Sequence, residues 1–179
     1  MDFLDFENND LYFDDPMSTD DKALLEKAAC AYPSKKTETL LLELDARLTD
    51  NLAILVALYR FYYYQHRYQD GLAILSRALD ISAGMLGLNV SWKDLTEFHL
   101  GKCVFVSMGL LRFYMMAMKA SAYILLRTGE IEPACLKLKK IVELDPADQF
   151  GAAFLYRMAR KKLSAKQAEL NAIDNLVRY

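Results

Sequence analysis

Two amphipathic helical patterns joined by a tight turn occupy residues 114–149. Apolar residues recur at helical spacing on both sides of the turn, which favours two helices packed side by side. Gly129 ends the first helix because its backbone tolerates the left-handed conformation, and Pro146 stops the second. The apolar positions are Met118, Ala122, Leu125 and Leu126 before the turn, and Ile131, Ala134, Leu138, Ile141 and Val142 after it.

A glycine in the turn, an alanine on the second helix and a closing proline carry a family resemblance. Gly129, Ala134 and Pro146 have the spacing of the tetratricopeptide repeat (TPR) family, so this stretch resembles a TPR repeat. The resemblance implies an all-α fold, a right-handed superhelix of antiparallel helix hairpins with about seven to nine helices. A generic helical hairpin is the alternative, and it would lack the family's binding groove.

The rest of the chain extends this pattern into one domain. With 179 residues, of which 54% are hydrophobic, residues 18–179 can bury a single core. The best repeats are 52–85 and 115–148, although in the first of them His66 takes the usual glycine place and Ala83 the usual proline place. Gly71 and Ala134 hold equivalent places but lie 63 residues apart, and the family's usual period is about 34. The excess, residues 86–114, is either an inserted helix or a lengthened one.

Helix start and stop signals place the flanking helices. Ser18 or Thr19 caps a first helix that runs to about Ala31, and a second is expected from Lys35 to Arg47. In the excess segment, Ser91 with Asp94 resembles a capping box for a following helix. Residues 148–178 form the closing helices, one over Asp148 to Lys162 and a last one after Ser164, which pairs with Gln167.

Acidic residues are concentrated at the N-terminus. Residues 1–21 contain eight acidic and no basic side chains, whereas the rest has 22 basic and 16 acidic ones, so the two parts carry charges of −8 and +6. Apolar residues alternate with these acids, as in segments that order only on docking. We therefore expect residues 1–17 to form an acidic, flexible tail, although a frayed terminus or a short first helix would fit as well. The residues expected to dock are Phe3, Phe6, Tyr12 and Phe13.

The resemblance also implies a binding groove lined by the first helix of each hairpin. Six cations and three tyrosines fall on its groove-facing places, a chemistry suited to an acidic, aromatic-containing protein or peptide partner. The alternative is an aromatic core stripe beside a solvated charged face. The groove residues are Arg60, Tyr63, Tyr64, Lys119, Tyr123, Arg127, Arg157, Arg160 and Lys161.

These features indicate a non-catalytic interaction scaffold or chaperone-like adaptor. The small all-helical form is similar to bacterial secretion chaperones built from TPR repeats, so we expect a bacterial protein. A homodimer could form through the tail or through residues 86–114, where Trp92, Phe98 and Phe105 lie. Nucleic-acid binding by the basic C-terminal helices is the alternative function, but the acidic tail and the lack of a recognition motif argue against it.

Several other classes are disfavoured by the residues present. His66 and His99 stand outside any nucleophile, metal or nucleotide motif, so we expect neither an enzyme nor a cofactor or metal site. Three cysteines without metal spacing are typical of a reducing, cytoplasmic location. The acidic start is unlike a secretory leader, and Arg112 and Lys119 interrupt the longest apolar tract, so no membrane span is expected. Glu38, Glu43 and Asp45 share a helix and are interpreted as solvent-facing charges.

Overall fold

Helices account for the regular secondary structure of the part of the chain that the structure describes. The computed structural model describes residues 17–177, without the side chains of 170 and 172–177; residues 1–16, 178 and 179 are not described. Within that range the fold is all-α, with eight α-helices, one 3-10 turn and no strand. The helices are α1 (Thr19–Cys30), α2 (Lys35–Arg47), α3 (Leu52–Tyr64), α4 (Tyr68–Met85), α5 (Glu97–Val106), α6 (Met108–Arg127), α7 (Ile131–Leu144) and α8 (Ala153–Val177), and the 3-10 turn is Trp92–Asp94.

Each helix packs mainly against its neighbour along the chain. α1 packs on α2, α2 on α3, and α3 on α4; α4 then packs on α6, α6 on α7, and α7 on α8. α5 packs on α6 beside this series. The buried side chains of α3 and α6, which include Leu55, Leu58, Met115 and Met118, belong to one continuous core that all these contacts share. The core therefore runs through the stack from helix to helix.

Side-chain caps explain where several helices begin. The Ser18 hydroxyl accepts a hydrogen bond from the backbone N–H of Asp21 at 3.1 Å, and the predicted start of α1 is confirmed. The bounds predicted for α2 are confirmed as well. Asn51 caps α3 by accepting from the N–H of Ile54 at 3.1 Å. Polar residues ahead of apolar runs thus fix the helix starts.

The turns of the two hairpins have the same backbone conformation at the same place. Gly129 has φ of 85° between α6 and α7, and His66 has φ of 57° between α3 and α4. His66 therefore takes the left-handed conformation that the glycine place requires, beyond the end of α3. Gly71 on α4 holds the place that Ala134 holds on α7. A Cβ on Gly71 would lie 3.4 Å from Cδ1 of Ile124, so α4 approaches α6 closely there.

Residues 86–114 contain both an inserted helix and an extension. α5 is the insertion, and α6 begins at Met108, before the start of the predicted repeat. The break between them is stabilised by Ser107, whose hydroxyl accepts from the N–H of Leu110 at 3.2 Å. The prediction that Ser91 and Asp94 open the helix is wrong, because they bound only the 3-10 turn. α5 begins after Thr96, whose N–H donates to Nδ1 of His99 at 3.2 Å.

The closing segment is one helix, so the prediction of two is wrong. α8 runs unbroken over 25 residues, and Ser164 lies inside it. No glycine or proline interrupts residues 153–177, and Ala, Leu, Lys and Gln are good helix formers. The start is also later than predicted, since Asp148 sits in the preceding loop with φ of 51°. Its carboxylate accepts from the N–H groups of Ala152 and Ala153 at 2.7 and 3.0 Å.

Replacing Asp148 by alanine should destabilise the start of α8. The change removes both cap hydrogen bonds and places alanine in the left-handed region, which aspartate tolerates better, so we expect a loss of about 1–2 kcal/mol in the free energy of unfolding. Chemical denaturation followed by circular dichroism measures it. Asp148→Asn is the matched control, because asparagine keeps an acceptor oxygen and tolerates this backbone. Equal losses for both variants would contradict the capping role.

Candidate functional site

Three tyrosines and one arginine meet where α3 ends, α4 begins and α6 ends. The ring of Tyr63 lies 6.2 Å from that of Tyr123 and 6.0 Å from that of Tyr68, measured between centroids. Nη2 of Arg127 donates to the Tyr68 hydroxyl at 3.1 Å, and its guanidinium carbon lies 5.8 Å from the Tyr68 ring centroid. We call Tyr63, Tyr68, Tyr123 and Arg127 the tyrosine–arginine cluster.

The surroundings of Tyr63 keep its phenol protonated. Burial raises the pKa of Tyr63, and its hydrogen bond with Tyr123 raises it further, while the charge of Arg127 acts in the opposite direction. Tyr59, buried beneath Tyr63 with ring centroids 6.2 Å apart, also has a raised pKa because of burial. At neutral pH Tyr63 thus presents a hydroxyl group beside the Arg127 guanidinium cation.

Tyr64 lies between the tyrosine–arginine cluster and a cavity beside α3. Its ring lies 5.5 Å from that of Tyr63, and 42% of the side chain remains exposed. With Arg60, which is half-buried one turn earlier, Tyr64 also lines a cavity of about 580 Å³ between α1, α2 and α3. Both residues were predicted for the groove, and both lie at the wall of this cavity.

Lys119 has a different role from the one predicted. It is only 7% exposed, and its ammonium donates to the backbone carbonyl of Phe150. Burial lowers the pKa of this amine, and the nearby Asp148 carboxylate partly offsets that effect. Lys119 therefore ties α6 to the loop between α7 and α8 and offers no surface charge to a partner.

The basic residues predicted on α8 are exposed but belong to a different part of the stack. Arg157, Arg160 and Lys161 follow the helix that packs on α7, and the Arg160 guanidinium lies 5.8 Å from the Tyr156 ring centroid. Among the predicted groove residues, the structure brings Tyr63, Tyr123 and Arg127 together, with Tyr64 beside them. The cations of α8 form a surface of their own.

Some residues around the cluster were not anticipated. Tyr68 was not among the predicted groove residues, yet its hydroxyl binds both Arg127 and, at 3.0 Å, Nδ1 of His66. The available signal for Tyr68 was its position: it is an aromatic residue directly after a turn, opposite the end of a neighbouring helix. Glu38 does not simply face solvent as interpreted, because it pairs with Arg67 at 2.6 Å.

Asp45 is likewise paired, since its carboxylate accepts two hydrogen bonds from Arg77 at 2.8 and 3.1 Å. The bonds join α2 to α4, which lies beyond α3 in the stack. With the pair of Glu38, they hold α2 against the α3–α4 hairpin. Both carboxylates therefore serve in structural ion pairs.

An apolar surface runs along α5 and the start of α6. Phe105 is 92% exposed and Phe98 is 68% exposed, with Lys102 4.5 Å above the Phe98 ring. Trp92 is half-buried instead, and the Lys137 ammonium lies 5.3 Å from its ring centroid. Of the three residues considered for a dimer surface, Phe98 and Phe105 therefore face solvent. Whether a second copy covers them stays a prediction.

The remaining predictions concern the N-terminal tail, a membrane span and a metal site. Phe3, Phe6, Tyr12 and Phe13, the expected docking residues of the tail, lie outside the described residues. Between residues 17 and 177, no helix combines the length and the apolar character needed to cross a bilayer. Within the same range, no group of three or more His, Cys, Asp or Glu side chains could hold a metal ion.

Comparison with known proteins gives one clear relationship. No protein-family model matches the chain, and no solved structure matches it. It is 40% identical over 155 residues to the "Uncharacterized 19.8 kDa protein in nifW 5'region" of Azotobacter chroococcum mcd 1. The similarity covers 87% of this chain and 86% of that protein. The chain therefore belongs to the same family as this Azotobacter protein.

Proposed function

We propose that this protein is a non-catalytic interaction scaffold or chaperone-like adaptor that binds an acidic, aromatic-containing peptide segment. In this proposal the helix hairpins form a TPR-like right-handed superhelix, and the tyrosine–arginine cluster lies on its binding face. The observation that carries the proposal is the convergence of Tyr63 from α3 with Tyr123 and Arg127 from α6, all three of which were predicted at groove-facing places. Consecutive packing of α3 with α4 and of α6 with α7 supports the same architecture.

The chemistry of the cluster suits such a ligand. Arg127 is exposed, and its hydrogen bond to Tyr68 orients the guanidinium while other N–H donors stay available for a carboxylate. Tyrosine rings supply rigid contact area at a low cost in conformational entropy, as they do at many protein interfaces. Together they favour a segment in which carboxylates and aromatic rings alternate.

Both histidines and two of the three cysteines have structural surroundings that disfavour catalysis. His99 accepts the backbone N–H that starts α5, and His66 forms the turn after α3. Cys103 and Cys135 are buried, and burial raises the pKa of both thiols, which disfavours the reactive thiolate. These assignments support a binding role, and the unpaired thiols support a cytoplasmic location.

The proposal is tested with a synthetic peptide in which Asp and Tyr alternate. Fluorescence anisotropy with the full chain should show about tenfold tighter binding than for the same peptide carrying Asn in place of Asp. Binding of the Asp peptide should also weaken as salt rises, because Arg127 is exposed to screening.

Two results would overturn the proposed function. Equal affinity for the Asp and Asn peptides would show that carboxylates are not recognised. Tighter binding of a single-stranded oligonucleotide, with a steeper salt dependence than the peptide shows, would assign the basic surface to nucleic acid instead.

A further inference from the structure

The cavity between α1, α2 and α3 is open to solvent, and its lining is mostly apolar. Its volume of about 580 Å³ falls in the range of sites that bind small molecules or groups of side chains. The lining residues are Leu25, Ala28, Ala29, Tyr32, Thr37, Leu41, Ala57, Arg60, Phe61 and Tyr64.

Two polar groups in this lining indicate that the cavity receives a ligand. Thr37 is only 3% exposed, and its hydroxyl has no hydrogen-bond partner among the described residues. A buried hydroxyl without a partner is costly, so such groups are rare unless something else satisfies them. Arg60 adds a guanidinium to the same wall. An occupant with apolar bulk, a hydrogen-bonding group and negative charge would match all three properties.

We propose that the cavity is the docking site for the chain's own N-terminal segment, residues 1–16. That segment has six acidic and no basic residues, whereas the remainder of the chain is net basic. Its aromatic residues Phe3, Phe6 and Phe13 supply the apolar bulk, and the carboxylates that neighbour them in the sequence supply negative charge for Arg60. Backbone amides and carbonyls of the segment supply the partner that the Thr37 hydroxyl lacks.

The connection to α1 makes this docking geometrically accessible. From Thr19 to Ala28, α1 rises about 14 Å, whereas sixteen extended residues reach roughly 50 Å. Because the segment is tethered to α1, its effective concentration at the cavity is in the millimolar range. The lining does not include Tyr68, Tyr123 or Arg127, so docking of the segment can be tested without any partner at the tyrosine–arginine cluster.

Amide hydrogen exchange of the full chain tests the proposal directly. Amides of residues 1–16 should exchange about tenfold more slowly than in the free peptide of the same sequence. Ala57→Trp, which fills the cavity, should abolish this protection. Ala46→Trp is the matched control, because Ala46 is exposed on α2, and it should leave the protection unchanged.

A second variant keeps the test valid if Ala57→Trp fails to fold. Replacing Phe3, Phe6 and Phe13 by serine leaves residues 17–177 intact and empties the cavity. The full-length variant should then bind 8-anilinonaphthalene-1-sulfonate, an apolar anion, about tenfold more tightly than the native chain does. Thr37→Val, made in the chain with its native residues 1–16, should reduce the protection of those residues, because valine has no hydroxyl to form a hydrogen bond with the segment.

Three outcomes would overturn the proposal. Unprotected amides in residues 1–16 would show that the segment does not dock. Equal dye binding by the native chain and the serine variant would show that the cavity is open to small apolar acids. A native chain that light scattering shows to be a dimer, dissociated by the serine variant, would place the segment in the cavity of a second copy.

Discussion

Replacing Tyr59 by alanine is expected to lower the free energy of unfolding by about 3–5 kcal/mol. Tyr59 is 2% exposed in the middle of α3, within the core that α3, α4 and α6 share. Truncation removes most of an aromatic ring from contact with its neighbours and leaves a cavity that close-packed helices cannot fully collapse into. Since single domains of this size are stable by only about 5–15 kcal/mol, much of the total would be lost.

Urea denaturation followed by circular dichroism measures this loss, with two variants as controls. Tyr59→Phe keeps the ring and should lose far less, which separates packing from the hydroxyl. Tyr64 lies on the more exposed side of α3, where 42% of it is accessible to solvent. Tyr64→Ala should therefore change the free energy of unfolding little. A loss for Tyr64→Ala as large as for Tyr59→Ala would mean that α3 is packed differently from the arrangement described.

Helix bounds were predictable where side chains alone determine them. Ser18 caps α1 and a proline follows its end, so the start and stop signals act locally. Gly129 was likewise predictable, because the turn between α6 and α7 needs a left-handed residue. The turn at His66 was harder to predict from residue type. The left-handed backbone conformation is present there, but histidine replaces the glycine that usually indicates it.

Contacts between distant segments were not predictable from spacing. Lys119 falls on a groove-facing place of α6, but the loop between α7 and α8 folds over it, and the Phe150 carbonyl accepts its hydrogen bond. The loop is stabilised by Asp148, which has a left-handed backbone and caps the start of α8. Such a cap leaves no periodic pattern of apolar residues in the sequence. In the same way, Glu38 appeared solvent-facing because its partner, Arg67, comes from the turn after the next helix.

The cluster itself was predicted in part because periodicity and family places agreed. Tyr63, Tyr123 and Arg127 occupy equivalent faces of α3 and α6, and α4 packs against both helices and so brings them together. Tyr68 completes the cluster from the start of α4, a place outside the first helices that the groove prediction considered. A surface built at the junction of three helices is thus only partly visible along any one of them.

Reversing the charge of Arg127 is expected to weaken binding of the Asp and Tyr peptide by about tenfold to a hundredfold. Glutamate removes the cation that is proposed to pair with the ligand's carboxylates and places a like charge beside them. Arg127 is exposed in the last turn of α6, so the loss should appear in affinity while the denaturation midpoint changes little. Anisotropy titrations at low and high salt measure it, and the variant should lose most of the salt dependence.

Matched substitutions separate a specific contact from a general electrostatic field. Arg112→Glu changes the net charge equally but lies on the same helix about 22 Å away, so it should cost much less affinity. Arg127→Lys keeps the charge and loses the planar fork, and its affinity should fall between those of the native chain and Arg127→Glu. If both charge reversals weaken binding equally, net charge attracts the peptide and the cluster is not its site. If only Arg127→Glu does so, the carboxylate is bound where Tyr63, Tyr68 and Tyr123 meet.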